Sequence, residues 1–185
     1  MIKYLYDIFA EKWYRGGTIY LYSDTHFADE EMKYLRKNYI GDLEQVASIN
    51  SVVGKRDTLI ILGDIGDTSF ISKIRGYKVA ILGNHDAGAS KYTDVFNEVY
   101  EGPLLISSKI ILSHEPVDYA FALNIHGHDH SGWDKRENHV NVCAEWINYR
   151  PVSLKSICES GVLKNIPDIH RVTIDKASAK SRKEK

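Results

Sequence analysis

Five short apolar runs punctuate the chain, and each ends in a residue type able to hold a metal ion. The most apolar of them, Leu59-Ile60-Ile61-Leu62, stops at Gly63-Asp64. A run of that kind between turn residues suits a strand covered on both faces of a sheet. Glycine permits a tight turn, so Asp64 emerges at the strand's carboxyl end, where open α/β sheets place their ligands. Thr18 to Ser23, β-branched and aromatic, predicts a strand running into Asp24-Thr25-His26. Lys78 to Leu82 runs into Gly83-Asn84-His85-Asp86, and Lys109 to Leu112 into Ser113-His114-Glu115-Pro116. Leu123 to Ile125 leads to His126-Gly127-His128-Asp129-His130.

Between these runs the pattern predicts helices. Asp29 to Val53 reads as one helix interrupted at Gly41, with Asp29, Glu30 and Glu31 favouring its first turn. Ser69 to Arg75 is a short helix closed by Gly76. Tyr92 to Tyr100 is helical or irregular and is broken by Gly102-Pro103. His139 to Ala144 forms a closing strand, and Ser153 begins another short helix. Val172 to Ile174 adds a late edge strand, and Met1 to Phe9 fits a strand or a short helix. With no repeat and no dividing linker, residues 1–175 are expected to form one domain. Residues 176–185 are then a basic tail, more readily solvated than bound to nucleic acid.

Composition narrows the class. At 185 residues the chain can bury a substantial core, and a formal net charge of −1 shows no overall commitment to nucleic acid or anionic membrane. The N-terminus lacks a signal-peptide pattern, and no apolar stretch approaches membrane-spanning length. The two cysteines, Cys143 and Cys158, have no metal-type spacing and are expected as reduced thiols. These features predict a soluble, cytoplasmic α/β protein.

The strand ends carry the chemistry. Side chains two apart on an extended backbone point the same way, so Asp24 and His26 can face one point, as can His128 and His130. Asp64, Asn84 and His114 each arrive at the end of their own strand. Carboxylate, imidazole and amide oxygen suit divalent ions such as Mn²⁺, Fe²⁺ or Zn²⁺. Seven such groups exceed one ion's needs, whereas two ions bridged by Asp64 would use them all. Two divalent ions, less the charges of Asp24, Asp64 and a bridging hydroxide, leave about +1, a cavity suited to a phosphate ester. The implied reaction is phosphoester hydrolysis by water.

Together, Asp24-x-His26, Gly63-Asp64, Gly83-Asn84-His85-Asp86, His114 and Gly127-His128-x-His130 resemble the motifs of the calcineurin-like metallophosphoesterases, over about residues 18 to 152. Ser23-Asp24-Thr25-His26-Phe27, Ser113-His114-Glu115-Pro116 and Asn148-Tyr149-Arg150-Pro151-Val152 resemble the small single-domain bacterial and phage members. The resemblance implies an α/β fold, an αββα sandwich of two mixed sheets with helices outside. It implies one metal on Asp24, His26, Asp64 and His130, and another on Asp64, Asn84, His114 and His128. Mn²⁺ is the first expectation, with Fe, Zn, Ni or Mg as alternatives. His85 would serve the leaving-group oxygen as general acid or transition-state stabiliser, with Asp67 orienting it. The protein Ser/Thr phosphatases follow the second motif with a phosphate-gripping arginine, but here Thr68-Ser69 follow Asp67. A small phosphate ester or nucleotide-type substrate is therefore expected ahead of phosphoprotein, and ahead of nucleic acid. The rival class is a scaffold: the retromer's metallophosphoesterase-like subunit uses this fold to bind protein with an impaired centre.

Other polar residues receive blander expectations. Asp86 either orients a neighbour or caps the following turn, Asp129 points to solvent, and His126 packs in the interior. Trp133, Tyr149 and Arg150 are core or rim residues, and His139 and His170 have no partner in the sequence.

Overall fold

A computed structural model describes residues 4–167. Helix α1 (Asp7–Trp13) precedes β1 (Ile19–Tyr22); α2 (Met32–Leu35) and α3 (Asp42–Val52) then lead to β2 (Thr58–Leu62). Helix α4 (Thr68–Ile71) leads to β3 (Tyr77–Ile81), and a 3₁₀ turn (Ala89–Lys91) to β4 (Glu98–Tyr100). Strands β5 (Leu104–Ser107), β6 (Ile110–Leu112), β7 (Leu123–His126), β8 (His139–Asn141) and β9 (Val152–Ser153) follow, then α5 (Leu154–Glu159) and a last 3₁₀ turn (Val162–Asn165).

The strands form two mixed sheets. In the first, ordered β4-β3-β2-β1-β9, β1 to β4 are parallel and β9 is antiparallel to β1. In the second, ordered β5-β6-β7-β8, β5 is antiparallel to β6 and the others are parallel. The two-residue period of a strand sorts the side chains. Ile19, Leu21, Ile60, Leu62, Val79 and Ile81 face inward and meet Ile106, Ile110, Leu112, Leu123 and Ile125 of the second sheet. Each such fully buried aliphatic contributes roughly 1.5–3 kcal/mol relative to exposure. On the first sheet's other face, Tyr22, Leu59, Ile61 and Ala80 lie under Val46, Ile49 and Val53 of the α3 region and Ile71 of α4. The second sheet's outer face carries Asn124 and His126 of β7 and His139 of β8 beside Ile111 of β6. Asn124 there accepts the Val117 N–H at 2.7 Å, and the segment between β7 and β8 folds over His126 and His139.

Several local expectations change. Asp29 to Leu35 does not begin a long helix: the Asp29 carboxylate accepts the Glu31 N–H at 3.0 Å and lies 3.3 Å from His26 Nδ1. Those contacts hold Asp29 to Glu31 in a turn before the one-turn α2, and the long helix starts only after Gly41. Of the two readings for Tyr92 to Tyr100, the irregular one holds through Asn97 and the helical one does not; Glu98–Tyr100 pairs with β3 as an edge strand. Its Glu98 accepts hydrogen bonds from Trp13, Tyr77 and Tyr100, a set visible only once the chain has folded. Strand β5 was not anticipated, α4 is shorter than Ser69 to Arg75, and β8 ends before Ala144. Ser153 does begin α5, its Oγ accepting the Ser156 N–H. The expected strand at Val172 to Ile174 and the basic tail lie outside the described residues. No described helix is long and apolar enough to cross a membrane.

Candidate metal centre

The carboxyl ends of both sheets meet at one point. After β1, Asp24 to Phe27 runs beside Gly63 to Ile65: Asp24 N–H donates to Gly63 O, His26 N–H to Asp64 O and Phe27 N–H to Ile65 O. The second sheet is tied on by the His128 N–H, within 3.0–3.2 Å of both Asp24 carboxylate oxygens, and by His114 Nδ1, 2.8 Å from Leu62 O; within that sheet the Gly127 N–H donates to His114 O. Gly127 is required here, because a Cβ would collide with Ser23 Oγ and Asp24 Oδ2.

The converging side chains do not use extended backbone. Asp24, His26, Asp64 and His128 have φ of 57°, 43°, 51° and 66°, in the left-handed region that non-glycine residues rarely occupy. Each such conformation costs roughly 1–3 kcal/mol and persists where the surroundings over-determine it. The two-apart alternation expected for Asp24/His26 and His128/His130 is therefore corrected: turns at the strand ends swing these side chains inward.

Two half-sites share Asp64. In one, His26 Nε2 lies 3.9 Å from Asp24 Oδ1 and 3.4 Å from Asp64 Oδ2, and His130 Nε2 lies 3.4 Å from Asp24 Oδ1. In the other, His114 Nε2 lies 3.4 Å from the same Asp64 Oδ2, 2.8 Å from Asn84 Oδ1 and 3.2 Å from His128 Nδ1. Asp24, His26 and Asp64 form one group with donor atoms within 4.8 Å of one another; Asp64, His114 and His128 form a second. The buried His26 Nε2 has no hydrogen-bond partner among the described residues, as a nitrogen kept for a cation would have none. The donor set therefore fits divalent ions.

The other nitrogen of each of three rings is held by an oxygen, an arrangement common behind metal-binding histidines. His114 Nδ1–H donates to Leu62 O at 2.8 Å, leaving the Nε2 lone pair facing Asp64. His130 Nδ1 meets Glu145, and His26 Nδ1 faces Asp29. Burial alone would raise the Asp24 carboxyl, but the bond to His130 and the charge of His114 outweigh it and hold the group at about 2. Burial likewise opposes ionisation of Asp64, yet His114, His26 and the His85 N–H hold it far below the ordinary carboxylate range. Burial pulls both His114 and His130 down, but Asp64 and Asp24 lift His114 to about 9, and Asp24 and Glu145 lift His130 to about 9.

Residues 17–183 match the family model described as calcineurin-like phosphoesterase. The chain belongs to that family. The uncharacterized protein MJ1445 of Methanocaldococcus jannaschii is 30% identical over 180 residues, covering 82% of this chain and 97% of that protein. The crystal structure of AQ665 from Aquifex aeolicus, a protein of unknown function, matches with a TM-score of 0.64 at 24% identity, covering 77% of this chain and 98% of that one. That structural likeness concerns the fold alone.

In this calcineurin-like phosphoesterase the seven expected ligand residues converge, and His85 stands beside them. Its N–H donates to Asp64 Oδ1 at 3.1 Å, and its ring centroid is 5.9 Å from that of His26. The exposed His85 ring lines a cavity of about 740 Å³ with Phe27, Asp29, Asp67, Lys91 and Tyr92. Asp67 lines the same cavity, but its Oδ1 accepts the Ser69 N–H at 2.8 Å and caps α4; its carboxylate makes that bond and none to His85.

Asp86 resolves toward orienting its neighbours. Its two oxygens accept the N–H groups of Asp64, Ile65 and Gly83 and the Tyr92 hydroxyl, locking the ends of β2 and β3 together. Asp129 does not point to solvent; it is 4% exposed and accepts from Ser131 Oγ, Gly132 N and Asp134 N. A loop this compact needs an internal acceptor for its own N–H groups, and Asp129 supplies it. Tyr149 is core, and Trp133 is exposed.

Three supporting residues escaped the sequence reading. Glu145 contacts His130 and lies 3.4 Å from Arg36 Nε; the buried Arg36 donates to Asp24 O at 2.5 Å; and Cys143 Sγ lies 3.1 Å from Asp24 Oδ2. Glu145 carried a weak signal, as the residue directly after the expected closing strand His139 to Ala144. Arg36 and Cys143 carried none.

Proposed function

We propose that the protein is a dinuclear metal-dependent phosphoesterase that hydrolyses a phosphomonoester or phosphodiester. The observation carrying this reading is Asp64 Oδ2, 3.4 Å from an imidazole nitrogen in each half-site. One ion would be held by Asp24, His26, Asp64 and His130, the other by Asp64, Asn84, His114 and His128. Mn²⁺ is the first choice among ions suited to these donors. Such a pair supplies electrophilic stabilisation of phosphoryl oxygens and a low-pKa water at neutral pH.

The chain's own residues do the rest. The His85 N–H holds Asp64 Oδ1 and so leaves Oδ2 free to face both halves. The His85 imidazole opens onto the 740 Å³ cavity, where the leaving group sits. As the P–O bond to that group breaks, the ring donates a proton to the departing oxygen. Asp67 shapes the cavity wall through its cap on α4. A substrate of small-molecule size, an ester or a nucleotide, suits that cavity.

The test is hydrolysis of p-nitrophenyl phosphate and bis-p-nitrophenyl phosphate by Mn²⁺-loaded protein. Turnover of either supports the enzyme; binding of two ions with no turnover of either favours the scaffold. His85→Ala is expected to retain its metals and lose about 10²–10⁴-fold in rate. Hydrolysis unchanged in that variant would remove His85 from the reaction.

A further inference from the structure

A separate group of metal-binding side chains lies on the outer face of the second sheet. Strands β7 and β8 run parallel with Asn124 beside His139 and His126 beside Asn141. His126 and His139 are therefore diagonal neighbours on one face, with ring centroids 5.3 Å apart. Asp134, from the segment between the two strands, places Oδ2 2.8 Å from His139 Nδ1 and 3.7 Å from His126 Nε2. All three side chains are closed to solvent, at 2% exposure or less.

Neither approach is a hydrogen bond. His126 Nε2 and both ring nitrogens of His139 are buried with no hydrogen-bond partner among the described residues. Buried polar atoms are nearly always paired, so these orphaned nitrogens, His139 Nδ1 and His126 Nε2 among them within 3.7 Å of one carboxylate oxygen, require an explanation. Donor atoms of the three residues lie within 4.8 Å of one another, as ligands of one ion do. The tautomer also suits a ligand: His126 Nδ1–H donates to Gly127 O at 2.8 Å, which leaves the lone pair on Nε2. Burial additionally favours the neutral form of both rings.

One charge opposes a cation here. Arg136 donates to Asp134 through Nε at 2.9 Å and Nη2 at 2.7 Å. Its Nη1 also lies 3.5 Å from Asp118 Oδ2, on an exposed carboxylate that can take the guanidinium.

We propose that His126, His139 and Asp134 form a mononuclear Zn²⁺ site, distinct from the centre around Asp64, that ties residues 129–138 to β7 and β8. Two imidazoles and a carboxylate match zinc's nitrogen and oxygen preference, with a water or the second Asp134 oxygen completing four ligands. Its role is structural. The site is closed to substrate, and it braces from behind the strand end that carries His128 and His130.

The full-length wild-type protein, incubated with Zn²⁺ and crystallised, tests this by anomalous diffraction at the zinc edge. A peak between His126, His139 and Asp134 is expected. Peaks around Asp64 with none at His126 would overturn this site and leave the proposed phosphoesterase standing. A peak at His126 with none around Asp64 would do the reverse. In solution, His139→Gln and Asp134→Asn should each bind one Zn²⁺ fewer than wild type; unchanged stoichiometry in both would also overturn the site. The diffraction experiment needs no variant, so a misfolded substitution cannot shield the proposal.

Discussion

The two halves of the centre share Asp64 but differ in depth. Around Asp24 the residues are sunk and braced: Asp24 is fully buried, His130 is held by Glu145, and His26 faces Asp29. Around Asn84 the half-site opens outward, because Asn84 and His128 are exposed. Only His114 there is anchored to the fold, through Leu62 O. A braced half loses no ordering entropy when it binds, whereas an open half must fix its ligands at that moment. The ion near Asp24 should therefore bind tightly, and the ion near Asn84 should exchange.

The largest disturbance removes what the halves share. Asp64→Asn is expected to empty both and to lower bis-p-nitrophenyl phosphate hydrolysis by on the order of 10²–10³-fold. Metal analysis showing both ions retained would end the bridging assignment. Next, His130→Ala and His128→Ala separate the halves. Each should lose one ion, but only His130→Ala should destabilise the metal-free protein, by about 1–3 kcal/mol in urea unfolding, because it takes from the Glu145 carboxylate its hydrogen-bonded imidazole and leaves it the longer Arg36 contact. Equal losses from the two variants would erase the difference in bracing.

A smaller effect sharpens the same contrast. Glu145→Gln should weaken the tighter of the two Mn²⁺ affinities by roughly 10–100-fold in calorimetry and leave the weaker one unchanged. The smallest effect is in pH. In the metal-free protein His114 and His130 titrate near 9, above the ordinary 6.5, so the folded state holds more protons than the unfolded one between those values. That stabilisation is complete below pH 6.5 and disappears as pH rises through 9. Metal binding needs the deprotonated rings, so its stabilisation grows over the same interval. Thermal melts with and without Mn²⁺ should diverge as pH rises; a constant gap would contradict the titration of these rings.

Much of this was legible in the chain. The runs at Leu59 to Leu62 and Lys78 to Leu82 are apolar without alternation because both faces of their sheet are covered. Their short length and the glycines that close them mark them as strands rather than buried helix. The ligand residues follow them directly, so their order along the chain matches the order of strand ends. The edge strand at Glu98–Tyr100 was not legible, since three partly exposed residues become a strand only by pairing with β3. Asp129 looked like a solvent residue because sequence alternation cannot see a loop that folds over its own carboxylate.

By itself the sequence determined the strand nuclei and pointed to the candidate donor residues, since burial on two faces and turn chemistry act over a few neighbouring residues. It also carried the motifs by which the family is identified. Only the tertiary structure decided how those donors converge. Four of them, Asp24, His26, Asp64 and His128, adopt left-handed backbone, which Asp and His enter more readily than most residues but still only rarely. Contacts between strand ends far apart in the chain impose it: Asp24 N–H on Gly63 O, His26 N–H on Asp64 O, and Asp24 on the His128 N–H. The tertiary structure likewise supplied Glu145 and Arg36 beneath His130 and Asp24, and brought Asp134 onto His126 and His139. Those meetings are made by packing, and no spacing along the chain encodes them.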